Sequence, residues 1–392
     1  MELRAGFKKT DIGIIPENWE VTTFDMIADK SKKWSITGGP FGSNLKASDY
    51  TNDGVQIIQL QNIGDGYFID DYQIYTSEEK ANELVSCNIY PNEIIISKMG
   101  DPVARACFMP TKAKRYLMAS DGIRLVVNEK DFSKKFIHDY INSPYFRKRA
   151  FENSRGSTRL RIGLPELKGL AVIKPTLSEQ NSIANALSDT DYLIGSLEKL
   201  IAKKRNIKQG AMQKLLQPEE GWSVKNFGEV CDNISSGKSN TQSEDGQFPI
   251  YGSTGIIGWS KTNDYAGNKI LVARVGANAG TVNIVDGKYC VSDNTLIVSL
   301  NPAMDIHFIF SFLILFQLNK LVFGSGQPLI TGGQLKNILI PIPKSKEEQT
   351  RIANILFDMD AEITVLETKL EKYRKVKLGM MQSLLTGKIR LV

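Results

Sequence analysis

The side chains best suited to chemistry in this sequence are cationic, and they cluster. Between Pro144 and Lys168 stand Arg147, Lys148, Arg149, Arg155, Arg159, Arg161 and Lys168, opposed by Glu152 and Glu166 and interleaved with Tyr145, Phe146 and Phe151. Guanidinium and ammonium groups neutralise phosphates, and an arginine on a suitable loop can address a guanine edge with two hydrogen bonds. The plain alternative for this segment is a solvated basic face. Two further stretches, "KKWSITGGPFGSNLK" (Lys32–Lys46) and "PIYGSTGIIGW" (Pro249–Trp259), combine glycine, serine and aromatics. Loops of that composition let donor-rich backbone approach a phosphate closely.

Catalytic chemistry is harder to find. The two histidines, His138 and His307, lie in apolar, helix-like surroundings, which disfavours a histidine catalyst or a paired-histidine metal site. "SSGKSN" (Ser235–Asn240) echoes the end of a phosphate-binding loop, but Asp232 stands where the leading glycine is required. "VGANAG" (Val275–Gly280) lacks the glycine spacing of a dinucleotide fingerprint. No Asp/Asn-Pro-Pro-aromatic motif of an amino-methyltransferase is present, "NPAM" at Asn301 being no match. Asp71, Glu78 and Lys80 could be forced into a metal-nuclease pattern, yet "TSEEKANEL" reads as a solvated helix start rather than a buried strand. The sequence does not read as an enzyme.

Bulk properties are those of an ordinary globular chain. The net charge is +6 over 392 residues, which permits a polyanionic partner. Four separated cysteines form no disulfide framework or metal knuckle, and the cytoplasm is the simplest setting. "FIFSFLILF" (Phe308–Phe316) is too short for a membrane span, which takes about 20 apolar residues, and is expected as a buried helix.

The elements that must position the cationic loops are written twice. "EQNSIANALSDTD" begins at Glu179 and "EQTRIANILFDMD" at Glu348, and the correspondence continues in register to "MQKLL" (Met212–Leu216) and "MQSLL" (Met381–Leu385). In both copies apolar residues recur in alternating steps of four and three, the seam of a coiled coil. The seam runs through Ile183, Leu187, Ile194, Leu197 and Ile201, and through Ile352, Leu356, Ile363, Leu366 and Leu370. Each helix is expected to span about 38 residues, roughly 57 Å at 1.5 Å per residue. The two are expected to pack antiparallel, with Gly210 and Gly379 allowing close approach of the backbones. Upstream, "GSTRLRIGLPELKGL" from Gly156 aligns with "GSGQPLITGGQLKNI" from Gly324, and "NWEVTTF" (Asn18–Phe24) with "GWSVKNF" (Gly221–Phe227). Between opening and helix lie divergent, strand-rich segments with only faint likeness, such as "NEIIISKMG" against "NKILVARVG". The expected organisation is a domain at 1–165, a helix and linker at 166–222, a second domain at 223–335 and a second helix at 336–392.

This arrangement resembles the specificity subunits of type I restriction–modification systems. The likeness rests on "GPFGSNLKASDY" (Gly39–Tyr50), "YGSTGIIGW", "ILVARVGANAG", the two "EQ..IAN" helices ending in "MQ.LL", and "LLTGK" at Leu384. It implies an α+β architecture: two mixed α/β target-recognition domains separated by two long antiparallel coiled-coil helices, with pseudo-twofold internal symmetry. It further implies that each domain reads one half of a bipartite, asymmetric DNA target, with an unread spacer between. The helices would serve as spacer ruler and as docking surface for two methyltransferase subunits, through which two restriction/translocase subunits join. Such a chain has no catalytic residue, metal or cofactor of its own: S-adenosylmethionine belongs to the methyltransferase partner, ATP and magnesium to the restriction partner. Candidate DNA-binding residues, polar and placed in loops near the matching motifs, are Ser43, Asn44, Lys46, Lys98, Arg105, Arg155, Thr158 and Arg159 in the first domain. In the second they are Tyr251, Ser253, Thr254, Arg274, Asn278 and Gln327. The alternatives are a coiled-coil scaffold that binds protein without reading DNA, and a nuclease or fused methyltransferase.

Overall fold

Runs of β-branched and aliphatic residues form the strands. "IIIS" (Ile94–Ser97) and "VQII" (Val55–Ile58) are buried at all four positions, so both faces of these strands are covered. Alternation along the first of them divides the core: Ile94 and Ile96 join Phe24, Phe136 and Phe146, whereas Ile95 packs with Ile58, Tyr116 and Met118. The computed structural model describes residues 5–156, 159–239, 245–324 and 328–391. The chain divides into two compact units, Met1–Ser196 with Glu371–Val392, and Leu197–Leu370.

In the first unit an antiparallel sheet has the strand order Ala106–Phe108, Ile94–Ser97, Gly122–Leu125, Ile36–Gly38. A second sheet has the order Tyr50–Thr51, Ile74–Thr76, Val55–Ile58, Tyr116–Met118, Asn88–Ile89, and within it Val55–Ile58 and Tyr116–Met118 run parallel. The helices Lys134–Ile141 and Pro144–Glu152 close the core, the latter with proline in its first turn and the Ser143 hydroxyl accepting from the Phe146 amide at 3.2 Å.

The second unit repeats this plan with one strand fewer, its mixed sheet lacking a counterpart of Tyr50–Thr51. Its antiparallel sheet runs Val282–Val285, Lys269–Ala273, Thr295–Leu300, Cys231–Ser236, and its mixed sheet runs Gly255–Ser260, Phe248–Gly252, Lys288–Val291, Tyr265–Ala266. The parallel pair, Phe248–Gly252 with Lys288–Val291, recurs in the same place. Each domain is closed by a strand near its end pairing with one near its start: Ala171–Lys174 with Glu20–Thr23, and Leu339–Ile342 with Ser223–Asn226. The domains thus continue past the expected limits of 165 and 335, to strands too short to stand out before their partners are known.

The helix Ile306–Phe316 buries Phe308, Ile309, Phe312 and Leu313 and leaves Ile314 exposed. Among the described residues no helix is long and apolar enough to cross a membrane.

Each repeated phrase is a 39-residue helix, Leu177–Leu215 and Lys346–Leu384. Within the first unit Ile183, Ala184 and Leu187 share a core with Met381, Leu384 and Leu385, and Asp191 pairs with Lys377 at 2.5 Å. Within the second, Met212 and Leu216 share a core with Ile352, Ala353 and Leu356. There Lys204 pairs with Glu362 at 2.7 Å and Arg205 with Glu367 at 2.5 Å, while Lys208 pairs with Asp360. In each unit the contacts of early residues with late ones make the two helical segments antiparallel. Exposed pairs of this kind contribute about 0–1 kcal/mol each, so they select register more than they stabilise. Of the seam residues, Ile183, Leu187, Leu197, Ile201, Ile352, Leu356, Ile363 and Leu370 are buried, and Ile194 and Leu366 are half-buried. Gly210 and Gly379 do not serve close backbone approach: both are exposed, and a Cβ at either would meet nothing within 4 Å.

The repeated "EQ" has a local reason. Gln180 and Gln349 are buried, and each side-chain oxygen accepts the backbone N–H of a residue capping a domain helix, Ser133 at 2.9 Å and Asp305 at 2.9 Å. Gln180 also donates to the carbonyls of Asp131 and Pro175. A buried amide N–H left without an acceptor is costly, which makes a side-chain amide valuable at this place in both copies.

Candidate nucleic-acid interface

In each domain the polar loops gather where the two parallel strands end at their C-terminal ends, the side at which open α/β sheets present ligand-binding loops. In the first domain the strand Ile94–Ser97 runs on into Lys98, whose carbonyl accepts from the Ile162 amide at 2.9 Å and whose amide donates to the Asp121 carbonyl at 2.7 Å. The Lys98 ammonium is half-buried and donates to the Ser120 carbonyl at 2.6 Å. Burial, and then the positive charge of Arg161, hold its pKa below the ordinary lysine value. Arg161 in turn pairs with Asp121 at 2.8 Å. Backbone bonds of 2.9 Å in both directions between Arg155 and Arg161 pinch the loop between them. Gly156 in that loop has φ +114°, and a Cβ on it would lie 2.5 Å from the Arg159 carbonyl oxygen, so the turn needs glycine.

The cationic segment splits once it is folded. Arg147 is buried and spent inside the domain, on Asp65 at 2.7 Å, Asn142 at 2.5 Å and the Ile141 carbonyl at 3.3 Å. Arg149 donates to the Ala171 carbonyl, and Lys168 pairs with Asp25 at 3.4 Å. Lys148, Arg155, Arg159 and Arg161 are exposed. Arg155 makes a solvent-exposed pair with Glu166 at 3.2 Å, which a phosphate could displace at little cost. Arg159 lines a cavity of about 510 Å³ with Met99, Asp101 and Phe151. Of the seven cations that read as one face, Arg147, Arg149 and Lys168 are held by structural partners, while Lys148, Arg155, Arg159 and Arg161 stay exposed, with Lys148, Arg155 and Arg161 in ion pairs.

The remaining first-domain candidates occupy two places. Ser43, Asn44 and Lys46 are exposed on the stretch beside Phe41, which is itself 83% exposed. The Ser43 hydroxyl donates to the Asn44 side-chain oxygen at 3.3 Å, and the Asp49 carboxylate accepts from the Lys46 amide at 2.7 Å. Arg105 is half-buried near Gly100, with its backbone N–H on the Ser97 hydroxyl at 3.0 Å and its Nε buried without a partner among the described residues.

The second domain builds the same edge with other side chains. Arg274 takes the place of Lys98: its carbonyl accepts from the Ile330 amide at 2.8 Å and its amide donates to the Asn294 carbonyl at 2.9 Å. Its guanidinium donates to the Ser236 hydroxyl at 3.3 Å. Phe323 and Leu329 pinch a loop as Arg155 and Arg161 do. Tyr251 is half-buried, edge-on to Tyr289 with ring centroids 5.9 Å apart. Ser253 and Thr254 form the turn between Phe248–Gly252 and Gly255–Ser260. Asn278 is exposed in the turn whose carbonyl accepts from the Thr281 amide at 2.9 Å. Thr158 and Gln327 lie outside the described residues.

Gln59, Gln61 and Asp121 also stand at this edge, and the sequence reading does not single them out. "VQIIQL" reads as one strand through Leu60, but the strand ends at Ile58, and the two glutamines stand at the same edge as Lys98. Polar residues immediately after a buried apolar run were the available signal. The nuclease-like trio is separated by its contacts: Glu78 pairs with Arg115, and Lys80 with Glu83 at 3.0 Å, on the helix Glu78–Glu83. Among the described residues no group of three or more His, Cys, Asp or Glu could hold a metal ion.

Comparison with known proteins addresses the whole chain. A family model described as the type I restriction modification DNA specificity domain matches residues 16–207 and again 219–373. The MjaX specificity subunit assigned to a type I restriction enzyme of Methanocaldococcus jannaschii is 26% identical, over 98% of this chain and 96% of its own. The crystal structure of the type I restriction–modification S subunit from M. genitalium superposes with a TM-score of 0.59 at 18% identity, covering 98% of both chains. A chain from a structural study of complex assembly in the type I R-M system gives a TM-score of 0.59 at 15% identity, over 96% of this chain and 99% of that one. At such identities the structural likeness speaks for the fold alone. With the family model matched once on each repeated half, this chain belongs to the type I restriction–modification DNA specificity subunits, the non-catalytic DNA-recognition members of those systems.

Proposed function

We propose that each domain reads one half of a bipartite, asymmetric DNA target, that an unread spacer lies between the halves, and that the long helices recruit the partner subunits. The observation that carries this reading is a scaffold whose sheet order recurs, less one edge strand, under rims that differ: Lys98 against Arg274, Asp121 against Asn294, and the long connection 59–73 against the turn Ser253–Thr254. One scaffold with two unlike reading edges suits an asymmetric sequence rather than the palindrome of a homodimer. The helices supply a second support. Asn185 and Asn354, and Asp189 and Asp358, are exposed yet identical between copies, although the fold places no packing demand on them. Identical exposed residues on repeated helices suit two copies of one partner, the methyltransferase subunit, with restriction subunits joining through it. S-adenosylmethionine, ATP and magnesium then belong to those partners, and the assembly works in the cytoplasm, where the DNA is.

Co-expression with the methyltransferase subunit in a methylation-free host, followed by genome-wide mapping of adenine methylation, tests the reading. The expected result is a gapped, asymmetric motif that depends on this chain. An assembled, cofactor-loaded complex that methylates nothing overturns it in favour of a protein-binding scaffold. Matched insertions in both long helices are expected to lengthen the spacer and leave both half-sites unchanged.

A further inference from the structure

At the C-terminal ends of the parallel strands Val55–Ile58 and Tyr116–Met118 the first domain has a recess of about 300 Å³. One wall is the stretch Pro40, Phe41, Gly42, Leu45 and Tyr50, and the other is Ala119–Asp121, with Gln59, Leu60 and Gln61 between them. The first wall cannot drift. A Cβ on Gly39 would lie 1.8 Å from the Ala119 carbonyl oxygen, so the backbone of that stretch is pressed directly against the opposite wall. The recess is therefore formed before any ligand arrives. Its surface divides in two: Phe41, Leu45 and Leu60 are apolar, and Gln59 and Gln61 bring polar carboxamides, the Gln59 main-chain N–H being held by the Asn62 side-chain oxygen at 2.9 Å. Two cations stand beside the recess, Lys98 on the Ser120 carbonyl at 2.6 Å and Arg161 paired with Asp121 at 2.8 Å.

We propose that Gln59 and Gln61 are specificity-determining side chains that read an A·T base pair in the first domain's half of the DNA target. The assignment rests on the bipartite DNA-reading function above and deepens it. A carboxamide offers a donor and an acceptor side by side, which matches N6 and N7 of adenine in the major groove. The apolar wall suits the methyl group of the paired thymine, the one apolar mark on that groove. The internal repeat gives independent support. Beneath the edge the two domains keep like residues in like places, Ile57 with Ile250 in the parallel pair and Ile162 with Ile330 on the pinched loop. At the edge they diverge, and the connection bearing Gln59 and Gln61 becomes a tight turn of Ser253 and Thr254. Where one chain holds its scaffold constant and varies an exposed polar rim, the variation falls on what tells its two half-sites apart.

The experiment is methylation mapping with the co-expressed methyltransferase complex carrying Gln59→Ala, Gln61→Ala or Gln61→Glu, with assembly and thermal midpoint measured for each. At an A·T position of one half-site, the alanine variants are expected to methylate formerly excluded bases about ten- to hundredfold more, relative to the cognate base. The other half-site stays as in the wild type. Gln61→Glu is expected to move the preference at that position toward C·G, since a carboxylate accepts from cytosine N4. An unchanged motif in both alanine variants, with assembly at the wild-type level, overturns the assignment. So does relaxation in the half-site that Arg274→Ala affects. A wild-type complex that yields no motif overturns the parent reading, and this one with it.

Discussion

Lys98 and Arg274 hold the same station in the two domains, each fixed by two backbone hydrogen bonds to equivalent partners: Ile162 and Asp121 for the first, Ile330 and Asn294 for the second. Because the main chain makes these bonds, the side chain at this place can change without disturbing the sheet. A lysine and an arginine at one station are not interchangeable, since arginine presents a planar fork and lysine a point charge. Under the proposed bipartite reading, this station lets two half-sites be distinguished with no change of fold.

Lys98→Ala is expected to weaken or relax recognition of one half-site only, and Arg274→Ala the other, by about tenfold each. Methylation mapping of the assembled complex checks both. Equal effects on both halves would assign these residues to folding instead.

Lys98 also sets a pH dependence. Its charged form is disfavoured by burial and by Arg161, so it releases its proton below the ordinary lysine value. DNA affinity of the assembled complex is therefore expected to fall as pH rises toward 10.5, the ordinary value, and to fall less in Lys98→Met. In the free chain the sign is opposite. The unfolded state holds that proton more tightly, so this group adds stability as pH rises through the same window. Binding titrations and denaturant melts at stepped pH separate the two effects.

Gln180→Ala removes one acceptor and two donated bonds from a buried place, and Gln349→Ala removes the acceptor for Asp305. Each is expected to destabilise its own domain by about 1–3 kcal/mol, Gln180→Ala more than Gln349→Ala. Chemical denaturation of the free chain measures both.

Glu179 is buried and held by the Trp19 indole N–H at 2.8 Å and by two bonds from Arg390, at 2.5 and 2.8 Å. Arg390→Ala leaves that carboxylate short of its cationic partner and is expected to cost about 3 kcal/mol. Glu179→Gln in the same background is expected to recover part of the loss, as the buried charge disappears. Failure of the second substitution to recover any stability would show that the clamp acts through packing.

Gly210→Ala and Gly379→Ala each remove an exposed glycine from a helix interior where a Cβ meets nothing. Each is expected to stabilise the free chain by up to about 1 kcal/mol, seen as a raised thermal midpoint. Stabilised variants that no longer bind the methyltransferase subunit would place these glycines under the partner.

The parts of this protein that its sequence alone determined are those written by near neighbours. The two long helices were legible because a period of 3.5 is a local property, and the two-domain plan because the "EQ..IAN" phrase and its upstream echoes occur twice in register. The strand-rich character of the segments that hold "NEIIISKMG" and "NKILVARVG" was legible too. Tertiary structure decided what depends on distant partners. Ala171–Lys174 is a domain-closing strand only because Glu20–Thr23 lies beside it. Arg147 looked like an outward cation, and Asp65, Asn142 and the Ile141 carbonyl drew it inside. The reading edge itself is made by loops from separate strands that meet where a parallel pair ends, and Gln59 belongs to it because Gly39 and Ala119 close around the same recess. Periodicity reports which face of an element is buried; which loops converge on a common edge is set by strand order, and strand order is a long-range pairing that no local pattern encodes.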